Sequence, residues 1–276
     1  MNGFAQGLFA LLFPSDCRLC SAPLIDVSRL PVCHECLTSV QPIEGALCSL
    51  CGERLITGFA APVHPASGIC GLCRRAAPPY AKAVAYGSYD GSLRELIHLL
   101  KYERVRPAAK VLGRMLADVL ANTQVVGNSE LLVVPVPLHA TKLRQRGFNQ
   151  SELIAAAAVK LARSRRSDSQ KLQLNTKVLR RRRATESQIG LSSHQRRENL
   201  RGAFVISKRE IVRGREILLV DDVFTTGTTV SECARVLLRE GAARVWVATV
   251  ARTLKADTRE LSLTAATPEL RMAAQA

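Results

Sequence analysis

Residues 217 to 229 read Ile-Leu-Leu-Val-Asp-Asp-Val-Phe-Thr-Thr-Gly-Thr-Thr, an apolar run that stops at two acids and passes into a hydroxyl-rich glycine loop. Ile217 to Val220 show no polar alternation, which predicts a strand covered on both faces, as in a parallel α/β sheet. Asp221 and Asp222 are expected at the carboxyl end of that strand, the edge at which open α/β sheets bind ligands. The loop Thr225 to Thr229 then feeds a helix expected from about Val230 to Glu240, ended by Gly241. Backbone N–H groups at a helix start favour phosphate, Gly227 lets the backbone wrap an anion, and four Thr hydroxyls donate without adding charge. Two adjacent acids ending a buried strand are unfavourable unless something occupies them. The stretch therefore reads as a place to hold a phosphorylated sugar, with the carboxylates gripping hydroxyls. Val223 and Phe224 read as packing residues.

Eight of the nine cysteines fall in Cys-x-x-Cys pairs at the other end of the chain: Cys17/Cys20, Cys33/Cys36, Cys48/Cys51 and Cys70/Cys73. A two-residue gap aims both sulfurs at one ion, and two such turns close a tetrahedron, so eight thiolates make two complete structural Zn²⁺ sites. Sequential pairing joins the first pair to the second and the third to the fourth. A cross-braced arrangement would join the first to the third. The sequence does not choose between them, although the gap between the last two pairs suits a ribbon and favours the sequential form. Disulfides belong to secreted chains, and the first fourteen residues are not built for export: Phe4, Leu8, Leu11 and Leu12 recur at helical spacing and no Lys or Arg precedes Asp16. That run is too short to cross a bilayer and is expected to pack as a helix on the protein, with peripheral membrane contact as the alternative. His34 and His64 are bystanders to sites already complete, and Cys233 is expected to be a small buried apolar residue.

A chain of 276 residues accommodates one α/β domain plus a small metal-stapled module. The division is expected near Pro78-Pro79, giving a zinc module over 1–79, an α/β domain over 80–253 and a tail over 254–276. Strands are expected at Ala83 to Tyr89, Leu131 to Val134, Ala203 to Ile206 and Val245 to Val250. Helices are expected at Leu93 to Tyr102, Ala108 to Leu120 and Asn149 to Leu161. Their alternation predicts a doubly wound parallel sheet.

Four apolar residues, an acidic pair, two apolar residues and Thr-Thr-Gly-x-Thr resemble the phosphoribosyl pyrophosphate (PRPP) motif of type I phosphoribosyltransferases. The resemblance assigns the ribose 2′ and 3′ hydroxyls to Asp221 and Asp222, and the 5′-phosphate to Thr225, Thr226, Gly227, Thr228 and Thr229. Three further segments extend it: Leu96-Ile97-His98-Leu99-Leu100-Lys101-Tyr102, then Pro135 to His139 running into Lys142-Leu143-Arg144-Gln145-Arg146-Gly147-Phe148-Asn149-Gln150, and Arg180 to Gln188 with Arg196 to Asn199. With the cysteine pairs, they resemble the ComF family, in which an amino-terminal zinc module precedes a phosphoribosyltransferase-like domain and which is associated with natural competence. The resemblance spans residues 14 to about 252. It implies Mg²⁺ bound together with PRPP, pyrophosphate met by Lys142, Arg144, Arg146 and Lys101, and displacement of pyrophosphate by a nitrogen nucleophile if the domain is catalytic.

The net charge of +16, from 39 Lys and Arg against 23 Asp and Glu, suits a polyanionic partner. Arg144, Arg146, Arg163, Arg165, Arg166, Arg180 to Arg183, Arg196, Arg197 and Arg201 concentrate between the two ligand loops. With only 12 aromatic residues, from Phe 7, Tyr 4 and Trp 1, backbone electrostatics rather than base stacking would lead recognition of single-stranded DNA. Three readings follow: an accessory protein in the handling of imported single-stranded DNA that retains PRPP binding, a metabolic phosphoribosyltransferase with an unknown acceptor, or a PRPP-sensing regulator without turnover. All three place the chain in the cytoplasm.

Overall fold

The computed structural model describes residues 15–24, 28–55, 68–122, 130–165, 172–184 and 193–254. The expected helix around Phe4 to Leu12, His64 and the tail after 254 lie outside the described residues.

The amino-terminal module holds β1 (Ser15–Asp16), β2 (Pro23–Leu24), α1 (His34–Thr38) and α2 (Gly71–Arg75). The α/β part begins with β3 (Lys82–Ser88), α3 (Gly91–Lys101), α4 (Ala108–Asn122) and β4 (Leu131–Pro135). It continues through α5 (Ala140–Arg146), α6 (Gln150–Arg165), β5 (Leu172–Leu174), β6 (Leu179–Arg181), α7 (Ser193–Leu200) and β7 (Phe204–Ile206). A 3₁₀ turn (Arg209–Ile211) leads to β8 (Glu216–Phe224), α8 (Thr228–Arg239) and β9 (Arg244–Arg252).

Five strands form one parallel sheet in the order β3-β9-β8-β4-β5. Its central strands carry apolar side chains to both faces, as the unbroken apolar runs require. Along β8, Leu218 and Val220 enter the core beneath α3, α4 and α6, while Ile217 and Leu219 enter the core beneath α8. The connection leaving β4 crosses one face toward β5, and the connection leaving β8 crosses the other toward β9. The two chains thus diverge between β4 and β8, the topological switch point at which such sheets open a ligand crevice.

The zinc-type module covers the β3 edge. Ala83 N–H donates to the Leu50 carbonyl at 2.7 Å, and Ile43 N–H donates to the Tyr86 carbonyl at 2.7 Å. This capping removes an open edge that could pair with another chain. The opposite edge, β5, is only three residues long. Cys17, Leu30, Val32 and Val40 join the same buried cluster as Leu93, Leu112 and Leu116, so the module shares a core with the sheet.

The structure departs from the sequence expectations in several places. The strand expected to end at Val220 runs on to Phe224, because β9 pairs with it as far as Phe224 opposite Arg252. The Lys142 to Arg146 segment, expected as a loop, is the helix α5, started by His139 Nδ1 accepting from Thr141 N–H at 3.3 Å and ended by Gly147 in the left-handed conformation. Strands β5 and β6 were not expected, since three residues give too little alternation to read.

Helices α4 and α6 cross closely at Gly113, where a Cβ would stand 2.5 Å from Ala157 Cβ and 3.0 Å from the Ile154 carbonyl oxygen. Gly113→Val should cost about 1–3 kcal/mol through overpacking, measured as a lower urea midpoint at unchanged m-value.

Candidate functional site

Beyond Val220 the two sides of β8 differ. Its β9 side stays paired through Phe224, whereas the β4 ladder ends at Pro135 opposite Val220 and at Val136 N–H donating to the Val220 carbonyl at 2.8 Å. Pro135 and Pro137 then carry that chain away. Asp221 and Asp222 therefore lie inside a strand by hydrogen bonding, yet at the mouth of a gap left by its neighbour.

Both carboxylates are buried, at 9% and 4% exposure, and their environments differ. Asp222 Oδ2 pairs with Lys101 Nζ from the last turn of α3. Burial opposes its ionisation, but Lys101 outweighs burial and holds Asp222 below the usual carboxylate range. In the same way Asp222 outweighs the desolvation of Lys101 and holds that ammonium above its usual range. Asp221 has no such cation against it. Burial, reinforced by the Asp222 charge, pushes it up to about 8 even though Ser151 Oγ donates to its Oδ1 at 2.8 Å. The Asp222 N–H donates to the same oxygen at 3.0 Å.

The loop after β8 gives Gly227 a left-handed backbone, φ 73°, as the cap of α8. Helix α8 begins at Thr228, two residues before the expected start, so Thr228 and Thr229 form its first turn at the anion-favouring end. Thr226 and Thr228 hydroxyls share a 2.7 Å hydrogen bond, and Thr225 and Thr226 are exposed.

The segment from Arg146 to Gln150 is fixed residue by residue. Arg146 Nη1 donates to Gln150 Oε1, Arg106 covers the buried Phe148 ring at 5.1 Å, and Asn149 Nδ2 donates to the Val136 carbonyl at 3.0 Å. Asn149 Oδ1 also accepts from Ser151 N–H at 3.1 Å, capping α6 and aiming Ser151 at Asp221. Lys142 and Arg146 lie one turn apart on the same face of α5, while Arg144 between them falls on another. Burial, followed by the charges of Arg181, Arg146 and Lys101, pushes Lys142 below its usual range. Arg181, Arg146 and Lys101 are thus near enough to act on Lys142, while Arg144 stands on another face of the helix. Arg181 and Ser151 are site residues that the sequence reading missed. Once β6 is placed, its period sets Arg181 on the side of buried Leu179 and opposite exposed Arg180, but three residues gave the sequence no signal for it.

The cysteines assemble into two groups, Cys17, Cys20, Cys33, Cys36 and Cys48, Cys51, Cys70, Cys73, with all four sulfurs of each within 4.8 Å of one another. This is the sequential pairing. Tetrahedral zinc with Zn–S near ~2.3 Å separates its sulfurs by about 3.8 Å. The observed separations of 3.9 Å for Cys17–Cys36, 3.6 Å for Cys20–Cys33 and 3.7 Å for Cys51–Cys70 fit it. Backbone N–H groups of Leu19 and Cys33 point at Cys17 Sγ at 3.4 and 3.3 Å, and that of Cys70 at Cys48 Sγ at 3.3 Å, as expected around thiolates. Among the described residues these are the two groups able to hold a metal through three or more ligands, and His34 is in neither. Cys233 is fully buried in the α8 core.

Residues 99–264 match the phosphoribosyl transferase domain family, and residues 8–74 match the double zinc ribbon domain family. The DNA utilization protein YhgH of Escherichia coli O157:H7 is 33% identical over 246 residues, covering 88% of this chain and 100% of that protein. The chain belongs to the ComF family. Competence protein F of Haemophilus influenzae is 30% identical over 230 residues, 80% of this chain and 96% of that one. Among solved structures, glutamine PRPP amidotransferase from B. subtilis complexed with ADP and GMP aligns at a TM-score of 0.34 and 22% identity, over 52% of this chain and 26% of that one. The family assignment rests on the sequence matches, and with it the two halves acquire their meaning: a double zinc ribbon packed on a phosphoribosyltransferase-type sheet. No described helix of this ComF protein is long and apolar enough to cross a membrane.

Two predictions follow from the geometry. Asp221 titrates near 8 in the folded protein against roughly 3.9 unfolded, so the stability it contributes is full below about pH 4 and is lost as pH rises to about 8. Asp221→Asn should therefore raise the melting temperature relative to the parent increasingly from pH 4 to pH 8, by roughly 2–4 °C per kcal/mol. Asp222→Asn should do the opposite, costing about 3–5 kcal/mol because it strands the buried Lys101. Calorimetric scans across that pH range read both. Secondly, replacing Cys17 and Cys20 by Ser should remove one equivalent of zinc, measured by atomic absorption, and leave the Cys48–Cys73 site loaded.

Proposed function

We propose that this ComF protein binds PRPP in the gap between β4 and β8 and serves in the use of single-stranded DNA. The observation that carries the first half is the acidic pair held where β8 loses its β4 partner, directly before a helix start capped by left-handed Gly227. Asp221 and Asp222 take the ribose hydroxyls. The loop from Thr225 and Thr226 through Gly227 to Thr228 and Thr229 takes the 5′-phosphate. Lys142 and Arg146, with Arg181 and Lys101 beside them, face the pyrophosphate, and Arg144 serves at longer range. Mg²⁺ would enter with the substrate and would supply charge neutralisation for the departing pyrophosphate. The chain's own part is to position: Ser151 orients Asp221, and Lys101 must yield Asp222 when a sugar hydroxyl arrives.

The DNA half rests on the named relatives, a DNA utilization protein and a competence protein, and on the basic excess. Part of that excess has structural duties. Arg163 donates to the Leu172 carbonyl at 2.6 Å, Arg165 pairs with Asp118, and Arg183 donates to the Asn199 and Arg201 carbonyls at 2.8 and 3.0 Å. Arg144 on α5 and Arg180 on β6 are exposed and would meet a phosphate backbone.

Calorimetric titration of the zinc-loaded protein with PRPP and Mg²⁺, with and without a short single strand, tests the reading. Saturable binding is expected, lost in the Asp221→Asn/Asp222→Asn double variant; unchanged binding in that variant would remove the assignment. Because the ligand needs Asp221 ionised, affinity should rise with pH up to about 8 and then level, with net proton release in buffers of different ionisation enthalpy. Pyrophosphate release with an added acceptor would identify a transferase, and binding without release a sensor.

A further inference from the structure

Arg252 ends β9 and is 4% exposed, at the join between the second cysteine group and the sheet. Its Nη1 donates to the Cys51 carbonyl, and its Nη2 lies 2.9 Å from Glu53 Oε2 and 3.9 Å from Cys51 Sγ. The plane of the same guanidinium covers the Phe224 ring, 4.5 Å from its centroid. Phe224 is the last residue of β8, immediately before the Thr225–Thr229 loop, and its carbonyl accepts from Thr253 N–H at 3.0 Å. Tyr80 closes the ring from the side, edge-on at 6.3 Å. Gly227 rests on the ring itself: the nearest atoms to a Cβ built there all belong to Phe224, and it would overlap them. One guanidinium and one ring thus form an unbroken packed path from a zinc-ligand turn to the residue whose left-handed backbone shapes the phosphate loop.

We propose that Arg252 is a positioning residue that ties the Cys48–Cys51–Cys70–Cys73 site to the phosphate loop, so that metal occupancy and loop conformation are linked. A zinc tetrathiolate is an anionic group, and a buried arginine with one arm on its ligand turn and a carboxylate beside it is the outer-shell arrangement that fixes such a ligand. Arg252 cannot leave that turn without uncovering Phe224, and Phe224 cannot tilt without moving against Gly227. Loss of the metal frees the Cys51 to Glu53 turn and with it three acceptors of the guanidinium. The first cysteine group joins the other side of the core through Cys17 and has no contact with this path among the hydrogen bonds and ring contacts described. Only one of the two metals is therefore coupled. Its consequence for PRPP rests on the proposed function above; the link itself does not.

Zinc extraction by a chromogenic chelator from the full zinc-loaded chain tests it, with each phase assigned by the Cys17→Ser/Cys20→Ser variant. Without any ligand, Gly227→Ala and Phe224→Leu should each speed release from the Cys48–Cys73 site about fivefold or more and leave the other phase alone. On an Arg252→Met background the Gly227→Ala effect should vanish, a non-additivity that a local packing defect at the ribbon would not produce. Arg252→Lys, which keeps the charge but neither forks nor stacks, should behave as Arg252→Met. By reciprocity, saturating PRPP with Mg²⁺ should slow the same phase in the parent and not in Arg252→Met. The proposal is overturned if neither Gly227→Ala nor Phe224→Leu speeds release from the Cys48–Cys73 site, if their effect persists in Arg252→Met, or if PRPP binds by calorimetry without altering release. Absence of PRPP binding would sink the functional reading alone, since the ligand-free variants still decide the link.

Discussion

Two carboxylates are buried next to each other at the end of β8, and the rest of the site is arranged around that cost. Adjacent buried acids cannot both be comfortably ionised, and here the conflict is resolved by giving them unequal surroundings. Asp222 receives Lys101 and stays charged, while Asp221 receives a serine hydroxyl and a backbone N–H and is pushed up to about 8. The lysine comes from α3, the serine from α6 and the N–H from the strand itself. Three elements of distant sequence therefore have to be in register before the acid pair is tolerable. The segment Arg146 to Gln150 serves that register, because Asn149 holds both the chain leaving β4 and the helix that carries Ser151.

The zinc ribbons belong to the same construction. A module of this size buries too little apolar surface to stand alone, and metal supplies the constraint that a core would otherwise supply. What the ribbons gain from the sheet is a shared core. What the sheet gains is a covered β3 edge, joined by two backbone hydrogen bonds of 2.7 Å, and a buried partner for Arg252. Arg252 with Glu53 and Cys51 is an ionic contact between residues some two hundred positions apart, 5% and 11% exposed at the two charged side chains. A charge pair that dry is costly unless fully hydrogen bonded, which makes it a device for holding one relative placement of ribbon and sheet more than a source of net stability.

Much of this was legible in the sequence, for reasons that can be stated residue by residue. The β8 run and its acids were readable because a fully buried strand has no alternation to obscure, and the cysteine pairs because their spacing encodes a tetrahedron directly. The helices at 91–101, 108–122 and 150–165 and the strands at 82–88 and 244–252 lie within a few residues of expectation. The ends were less legible. That β8 continues to Phe224 depends on β9, a partner whose register no local pattern reveals. Helix α5 escaped because its start is a histidine and its seven residues are mostly exposed, three of them basic, with no apolar face to read. Arg252 lay past the expected strand Val245 to Val250 with no role assigned, and only the fold brings it to Cys51. The ligand pairing of the cysteines was likewise open until the ribbons were placed.

The cations deserve the same treatment as the acids. Lys142, Arg146, Arg181 and Lys101 stand close enough that Lys142 is pushed below its ordinary range, first by burial and then by the other three. Lys101 has the Asp222 carboxylate against it, and the Asp221 charge acts on Arg181. Such a group of like charges is unfavourable in the folded chain, and counterions or water must screen it. A phosphorylated sugar would remove the repulsion and the desolvation conflict of Asp221 at once, since a sugar hydroxyl can donate to that carboxylate while anionic groups meet the cations. A simple anion would meet the cations alone, and a simple polyol the carboxylate alone. The strain on both sides, more than any single contact, is the ground on which we propose a molecule with hydroxyls and phosphates in fixed relation for the gap between β4 and β8.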